Sequence, residues 1–210
     1  PHMLRDAVTK MLGVDKTALR VIAPEVGGGF GAKANIYTEE VLAAYLARRL
    51  RCSLRWVATR SEDFLVTSHG RDQVGAVRLA ADGSGRILGA ELRLTMDVGA
   101  HYSRVTPIVP ALTGVMMTGS YDIPNVLCEA RGVYTNKTMI EPYRGAGRPE
   151  AAYFIERSLD VLSQDMGLDP LELRRRNFVP PDRFPYETAT GLTYDSGEYV
   201  RALDELLEYV

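Results

Sequence analysis

The chain has 210 residues, of which 46% are hydrophobic and 25% are charged, and its net charge is −2. This composition is typical of a globular protein of one sizeable domain, and the near-neutral charge gives no electrostatic case for binding nucleic acid. No apolar run approaches the roughly 18 residues of a membrane-spanning helix, and no signal peptide opens the chain. We therefore expect a cytoplasmic protein without a membrane span.

Hydrophobic periodicity predicts five elements in the first third of the chain. Three are helices, over residues 3–13, 38–50 and 61–66. The second helix carries acidic residues in its first turn and arginines in its last, which suits the helix dipole. The other two are short apolar, β-branched runs, Leu19 to Ala23 and Leu54 to Ala58, which we predict to be strands.

The most distinctive stretch follows the first predicted strand and reads Gly27-Gly28-Gly29-Phe30-Gly31-Ala32-Lys33. Glycine is costly in an ordered backbone, so four glycines in five positions indicate a backbone whose N–H groups closely approach a ligand. Neither the phosphate-loop nor the dinucleotide-binding spacing is present. The stretch therefore predicts a site for a phosphorylated or oxo-anionic ligand, with a flexible surface turn as the alternative.

Strands over 73–80 and 87–97, separated by Asp82-Gly83-Ser84-Gly85, predict a hairpin with one solvent-exposed face. Further elements are a buried helix or loop over 106–120, a strand over 126–134 and helices from Pro149 and Asp169. This irregular order favours an α+β fold with a mixed or antiparallel sheet and packed helices.

A second glycine-punctuated loop, Pro142-Tyr143-Arg144-Gly145-Ala146-Gly147-Arg148, precedes the helix from Pro149. No nucleophile motif accompanies it, and a lone histidine such as His69 is more often structural than catalytic. The chain thus offers two glycine loops and a cation, groups that are suited to binding a ligand. The reactive atoms would come from a cofactor.

The cysteines and the chain ends give two further expectations. Cys52 and Cys128 lack metal-ligand spacing, and we expect both to be small core residues. The helical pattern from Glu198 to Val210 has no glycine or proline stop and leaves its apolar face without an obvious partner. We therefore expect one domain over residues 1–210, truncated at both ends, from a longer protein.

Several motifs occur in a characteristic order. They are Gly27-Gly28-Gly29-Phe30-Gly31-Ala32-Lys33, Thr59-Arg60-Ser61-Glu62-Asp63, Thr67-Ser68-His69-Gly70-Arg71, Tyr121-Asp122-Ile123-Pro124-Asn125, Tyr134-Thr135-Asn136-Lys137, Pro142-Tyr143-Arg144-Gly145-Ala146-Gly147-Arg148-Pro149-Glu150 and Leu173-Arg174-Arg175-Arg176-Asn177. Through them the whole chain resembles the first part of the molybdenum-binding large subunit of the xanthine dehydrogenase and aldehyde oxidase family, especially its carbon-monoxide-dehydrogenase-like branch.

This resemblance implies a molybdenum cofactor, either molybdopterin cytosine dinucleotide or a related molybdopterin. Its binding residues would be Gly28, Gly29, Phe30, Gly31, Arg144 and Gly145, with the amides of Phe30 and Gly31 facing the apical oxo ligand. Arg144 would also be catalytic, approaching the metal and the substrate. The chain itself would supply no metal ligand.

Departures from the family pattern bear on the substrate. Gly145 stands where carbon monoxide dehydrogenases carry a copper-binding cysteine. Ala34 and Leu112 stand where xanthine enzymes carry a glutamate and an arginine, so a purine loses two polar anchors, each worth about 1.5–3 kcal/mol. An aldehyde or a nitrogen heterocycle fits better.

The resemblance also implies partners. The general-base glutamate of the family lies in a later, C-terminal molybdenum-binding domain, and electrons leave to iron–sulfur and FAD subunits. The expected activity is hydroxylation of a small-molecule substrate with water. Two alternatives stay open: a copper-containing carbon monoxide dehydrogenase, and a non-catalytic remnant with the same fold.

Overall fold

A three-stranded mixed sheet organises residues 1–209, the part of the chain that the computed structural model describes. Strands β1 (Gln73–Ala81) and β2 (Ile87–Gly99) form the predicted antiparallel hairpin. Strand β3 (Val126–Tyr134) pairs parallel to β2, so that Leu92 of β2 has Val77 and Cys128 as its cross-strand neighbours. The α+β prediction with a mixed sheet is confirmed.

One face of the sheet carries the core. Leu92, Leu94 and Met96 of β2 are buried on it, two residues apart as the strand period requires. Helices α4 (Ile108–Val115) and α5 (Arg148–Met166) contact the sheet and each other. The opposite face is polar and bears a row of ion pairs that involves Arg78, Glu91, Arg93, Glu129 and Arg131.

The register of the hairpin differs from the predicted alternation at its start. In the sequence, Ile87 alternates in phase with Glu91 and Arg93, which predicts that Ile87 lies on the exposed face and Leu88 on the buried one. In the structure, Ile87 is fully buried and Leu88 is exposed. A shift in register after Ala80 explains the reversal, because Ala80 pairs with Gly89 while Ala81 pairs with Ile87.

The remaining helices follow the predicted periodicities. They are α1 (His2–Leu12), α2 (Thr38–Leu50), α3 (Arg60–Val66), α6 (Pro170–Asn177) and α7 (Tyr199–Leu207). α1 ends at Gly13 with φ 61°, as expected for a left-handed C-terminal glycine. α7 exposes Leu206 and Leu207, and Val210, the end of its predicted pattern, lies outside the described residues.

Two predicted strands are wrong. Residues 19–23 and 54–58 form neither strands nor helices, and Ile22 and Val57 are each 66% exposed. A strand needs a neighbour to accept and donate its backbone hydrogen bonds, and neither segment pairs with another within residues 1–209. The two β-branched segments are therefore extended, but they do not pair with a neighbouring strand.

The prediction that both cysteines are core residues is half wrong. Cys52 is exposed just after α2. Cys128 on β3 is partly buried and packs against the core, which raises the pKa of its thiol. Within residues 1–209 no helix is both long and apolar enough to cross a membrane.

Candidate functional site

The first glycine loop holds a row of free backbone donors. Within residues 1–209, no amide from Gly27 to Gly31 donates a hydrogen bond to the protein. Three of its residues have positive φ, with 120° at Gly28, 49° at Phe30 and 107° at Gly31. Phe30 is strained there, because left-handed backbone costs a non-glycine residue roughly 1–2 kcal/mol. A row of amides of this kind suits an anionic or oxo ligand.

The second loop has a similar backbone. Three successive residues are left-handed, with φ 97° at Gly145, 45° at Ala146 and 92° at Gly147. Gly147 has to be glycine, because a Cβ there would lie 2.3 Å from the carbonyl oxygen of Val109 in α4. Helix α4, within the predicted 106–120 segment, therefore packs against the loop, and Leu112 of α4 also faces Gly147.

The structure brings the two predicted loops into direct contact. The amide of Arg144 donates to the carbonyl oxygen of Phe30 at 2.9 Å. The Arg144 guanidinium carbon lies 5.8 Å from the centroid of the Phe30 ring. A Cβ on Gly31 would lie only 1.7 Å from the carbonyl oxygen of Pro142, so glycine permits this approach.

The predicted site residues therefore divide into two groups. Phe30, Gly31 and Arg144 form the junction, with Gly145 adjacent to it. Gly28 and Gly29 precede the junction in the first loop and are partly buried. A Cβ at Gly28 would lie 2.7 Å from the Phe30 ring, whereas a Cβ at Gly29 would meet only Lys33, at 3.4 Å, so the protein leaves room for a side chain at Gly29.

Arg144 contributes an unpaired cation to this site. Its side chain is exposed and makes no hydrogen bond or ion pair with any other group among the described residues. A guanidinium has five donors in a planar fork and remains charged at all accessible pH values. Together with the free amides, Arg144 makes the junction suited to a ligand that bears oxygen atoms and negative charge.

His69 has a structural role. Its ring lies 3.0 Å from the carbonyl oxygen of Phe64, and its backbone bonds Met139 and Glu141 on the chain that leads into the second loop. This placement agrees with the structural interpretation of the lone histidine.

Sequence reasoning missed Arg71 and Glu150, which lie behind the second loop. Arg71 donates to the carbonyl oxygen of Arg144 at 2.7 Å and pairs with the buried carboxylate of Glu150 at 3.2 Å. Both residues belong to the motifs noted above, but neither motif shows that they meet. Only the fold brings these distant parts of the chain together.

A second polar cluster supports the same region. Burial alone would raise the pKa of Asp97, yet bonds from Thr135 (2.7 Å), the Gly99 amide (2.7 Å) and Lys137 (2.9 Å) outweigh it and lower that pKa. Lys137 also pairs with Asp72 at 2.7 Å. Among the described residues, no group of three or more histidine, cysteine, aspartate or glutamate side chains is placed to hold a metal ion.

The chain matches known proteins over its full length. Residues 1–178 match the model of the molybdopterin cofactor-binding domain. The carbon monoxide dehydrogenase large chain of Hydrogenophaga pseudoflava is 39% identical over 100% of this chain and 26% of its own length. The nicotine 6-hydroxylase large subunit of Paenarthrobacter nicotinovorans is 35% identical with the same coverage.

A solved structure gives the same result. Quinoline 2-oxidoreductase from Pseudomonas putida 86 superimposes with a TM-score of 0.93 at 34% identity, covering 100% of this chain and 27% of that one. The chain thus spans about a quarter of the length of these relatives.

Proposed function

The chain belongs to the family of molybdopterin cofactor-binding domains, and from that premise we propose that its two glycine loops hold the molybdenum cofactor, in the form of molybdopterin cytosine dinucleotide. The observation that carries this proposal is the junction of Phe30 and Arg144. There, a loop whose amides donate no hydrogen bond within residues 1–209 meets an unpaired guanidinium, 5.8 Å from the centroid of the Phe30 ring. A side chain added at Gly29 would meet only the Cβ of Lys33, at 3.4 Å, so within the described residues it would extend into space beside the first loop.

The residues of the junction have distinct roles. The amides of Phe30 and Gly31 donate to the oxygen atoms of the cofactor. Arg144 binds and orients a carbonyl oxygen or ring nitrogen of the substrate with its free donors. When bound, the cofactor supplies the redox chemistry by accepting an electron pair from the substrate.

We propose that the complete protein is a molybdenum hydroxylase of aldehydes or nitrogen heterocycles. A C–H bond of the substrate would become C–OH with oxygen from water, two protons would be released, and the electron pair would pass to iron–sulfur and FAD subunits. The general base comes from a further molybdenum-binding domain. Two of the relatives above carry names of nitrogen-heterocycle enzymes, for nicotine and quinoline.

Carbon monoxide dehydrogenase is the second candidate, favoured by the 39% identity to such a large chain. Gly145 argues against it, because glycine has no side-chain sulfur to bind copper in place of the cysteine of those enzymes. Cys128 cannot replace it, since its side chain packs against the core on β3.

The test uses the complete assembly purified from a host that makes the cofactor. We expect stoichiometric molybdenum and pterin, and, with an artificial electron acceptor, faster turnover of aldehydes or nitrogen heterocycles than of carbon monoxide or xanthine. Absence of molybdenum would support the non-catalytic remnant. Fastest turnover of carbon monoxide or xanthine would overturn the proposed substrate class.

A further inference from the structure

Arg71 contacts three parts of the second loop from behind. Its Nη2 donates to the carbonyl oxygen of Arg144 at 2.7 Å. Its Nη1 lies 3.2 Å from a carboxylate oxygen of Glu150, in the first turn of α5. Its guanidinium carbon lies 5.0 Å from the centroid of the Tyr143 ring. The Arg71 side chain therefore contacts both ends of the second loop: Tyr143 and Arg144 within it, and Glu150 just after it.

The backbone that presents Arg71 is strained. Arg71 and Asp72 are both left-handed, with φ 74° and 45°, although neither is glycine. The Asp72 side chain is anchored by Lys137 at 2.7 Å. Gly70 lies so close to the loop that a Cβ would approach the Cβ of Tyr143 to 2.4 Å. Such strain persists only where the surroundings enforce it, and it is common at functional sites.

The contacts of Arg71 continue to the first loop. Arg144 accepts the bond from Arg71 with its carbonyl group and donates a bond to Phe30 with its amide. Its backbone is therefore held from both sides, while its guanidinium remains free. Both terminal nitrogen atoms of the Arg71 guanidinium are needed to hold Arg144 in this way, because one bonds Glu150 while the other bonds Arg144. A lysine would present only a single ammonium group.

We propose that Arg71 is a positioning residue, which fixes the backbone of Arg144 so that its guanidinium and the first loop share one face. This role rests on the proposed function, in which Arg144 orients the substrate. In this role Arg71 acts through Arg144, since its hydrogen bonds and its ion pair all go to Arg144 and Glu150.

Arg71→Lys is the central variant, because it keeps a cation beside the buried Glu150 carboxylate and loses the second arm of the fork. Arg174→Lys is the matched control. Arg174 also forks onto two acceptors, Glu156 at 2.9 Å and Asp160 at 2.8 Å, but it joins α6 to α5 away from the loops.

Three measurements on the complete assembly follow: molybdenum content, steady-state kinetics, and hydrogen exchange at the Arg144 amide. For Arg71→Lys we expect unchanged molybdenum, a tenfold or larger loss of kcat/KM carried chiefly by KM, and at least tenfold faster exchange of that amide. Arg174→Lys should match the wild type in all three. In an Arg144→Ala background, the kinetic effect of Arg71→Lys should disappear, since Arg71 acts through that guanidinium.

The inference is overturned if Arg71→Lys leaves kcat/KM and the amide exchange within twofold of the wild type. It is also overturned if the kinetic loss persists undiminished in the Arg144→Ala background, which would indicate a general structural role. Failure of the proposed function would show itself separately, as a wild-type assembly without molybdenum. Even in that case, the exchange rate of the Arg144 amide would show whether Arg71 holds the Arg144 backbone in place.

Discussion

Residues 1–72 and the sheet with its packed helices differ sharply in burial. Only Val8 and Thr9 are buried in the first region, whereas the sheet and the helices that pack on it carry a continuous apolar core. Each region contributes one of the two glycine loops. The comparison indicates that the first loop does not rest on a core of its own. Its position depends on its contacts with the second loop, which is anchored to α4 and α5.

The largest expected effect separates the two regions by stability. Leu92→Ala removes a fully buried side chain from the centre of the sheet and should lower the free energy of unfolding by about 2–5 kcal/mol. Leu65→Ala in α3, where the side chain is 74% exposed, should change it by less than about 0.5 kcal/mol. Urea denaturation of both variants checks this, and equal losses would contradict the division into two regions.

The next effect concerns the junction between the regions. In Gly31→Ala, the new methyl group meets the Pro142 carbonyl oxygen in a left-handed backbone, so the junction should weaken by about 2 kcal/mol or more. Hydrogen exchange should then rise across residues 1–72 and stay unchanged in β2. The control is Gly27→Ala, where a Cβ meets nothing within 4 Å. Loss of protection in β2 as well would show that the regions are not separable.

The smallest effect is on pH dependence. The folded state lowers the pKa of Asp97, so its contribution to stability is present above the ordinary value of about 3.9 and is lost as the pH falls through the lowered pKa. Because Lys137 joins Asp97 to Asp72 at the end of the first region, acid should loosen that region first. Urea midpoints measured from pH 6 down to pH 3 should fall for the wild type below pH about 4.

Asp97→Asn provides the comparison for that measurement. Asparagine takes up no proton in this range, so the urea midpoint of the variant should fall less steeply with acid than that of the wild type. Parallel profiles would mean that other carboxylates govern the acid response.

The elements that the sequence predicts correctly are those that depend on local contacts. Helices α1 to α3 and the β1–β2 hairpin depend on contacts close along the chain, and their patterns predicted them. The strands at 19–23 and 54–58 were mispredicted because a ladder depends on a distant partner, which local composition does not specify.

The prediction of the site was limited in the same way, because some of its contacts join distant parts of the chain. Its glycines and Arg144 were predictable, because glycine at a close approach leaves a clear signal in the sequence. The hydrogen bond from the Arg144 amide to Phe30 and the hydrogen bond from Arg71 to the Arg144 carbonyl oxygen join residues that are far apart in the chain. Nothing in the spacing of those residues indicates that they meet.

The most direct test of the proposed cofactor site compares two valine substitutions in the complete assembly. Gly29 and Gly83 both have ordinary φ values and room for a side chain, but only Gly29 lies in the first loop, whereas Gly83 lies in the β1–β2 turn. We predict that Gly29→Val loses molybdenum and pterin at least tenfold while its helical signal stays that of the wild type, and that Gly83→Val retains both. A Gly29→Val protein with the wild-type content of cofactor would contradict the account.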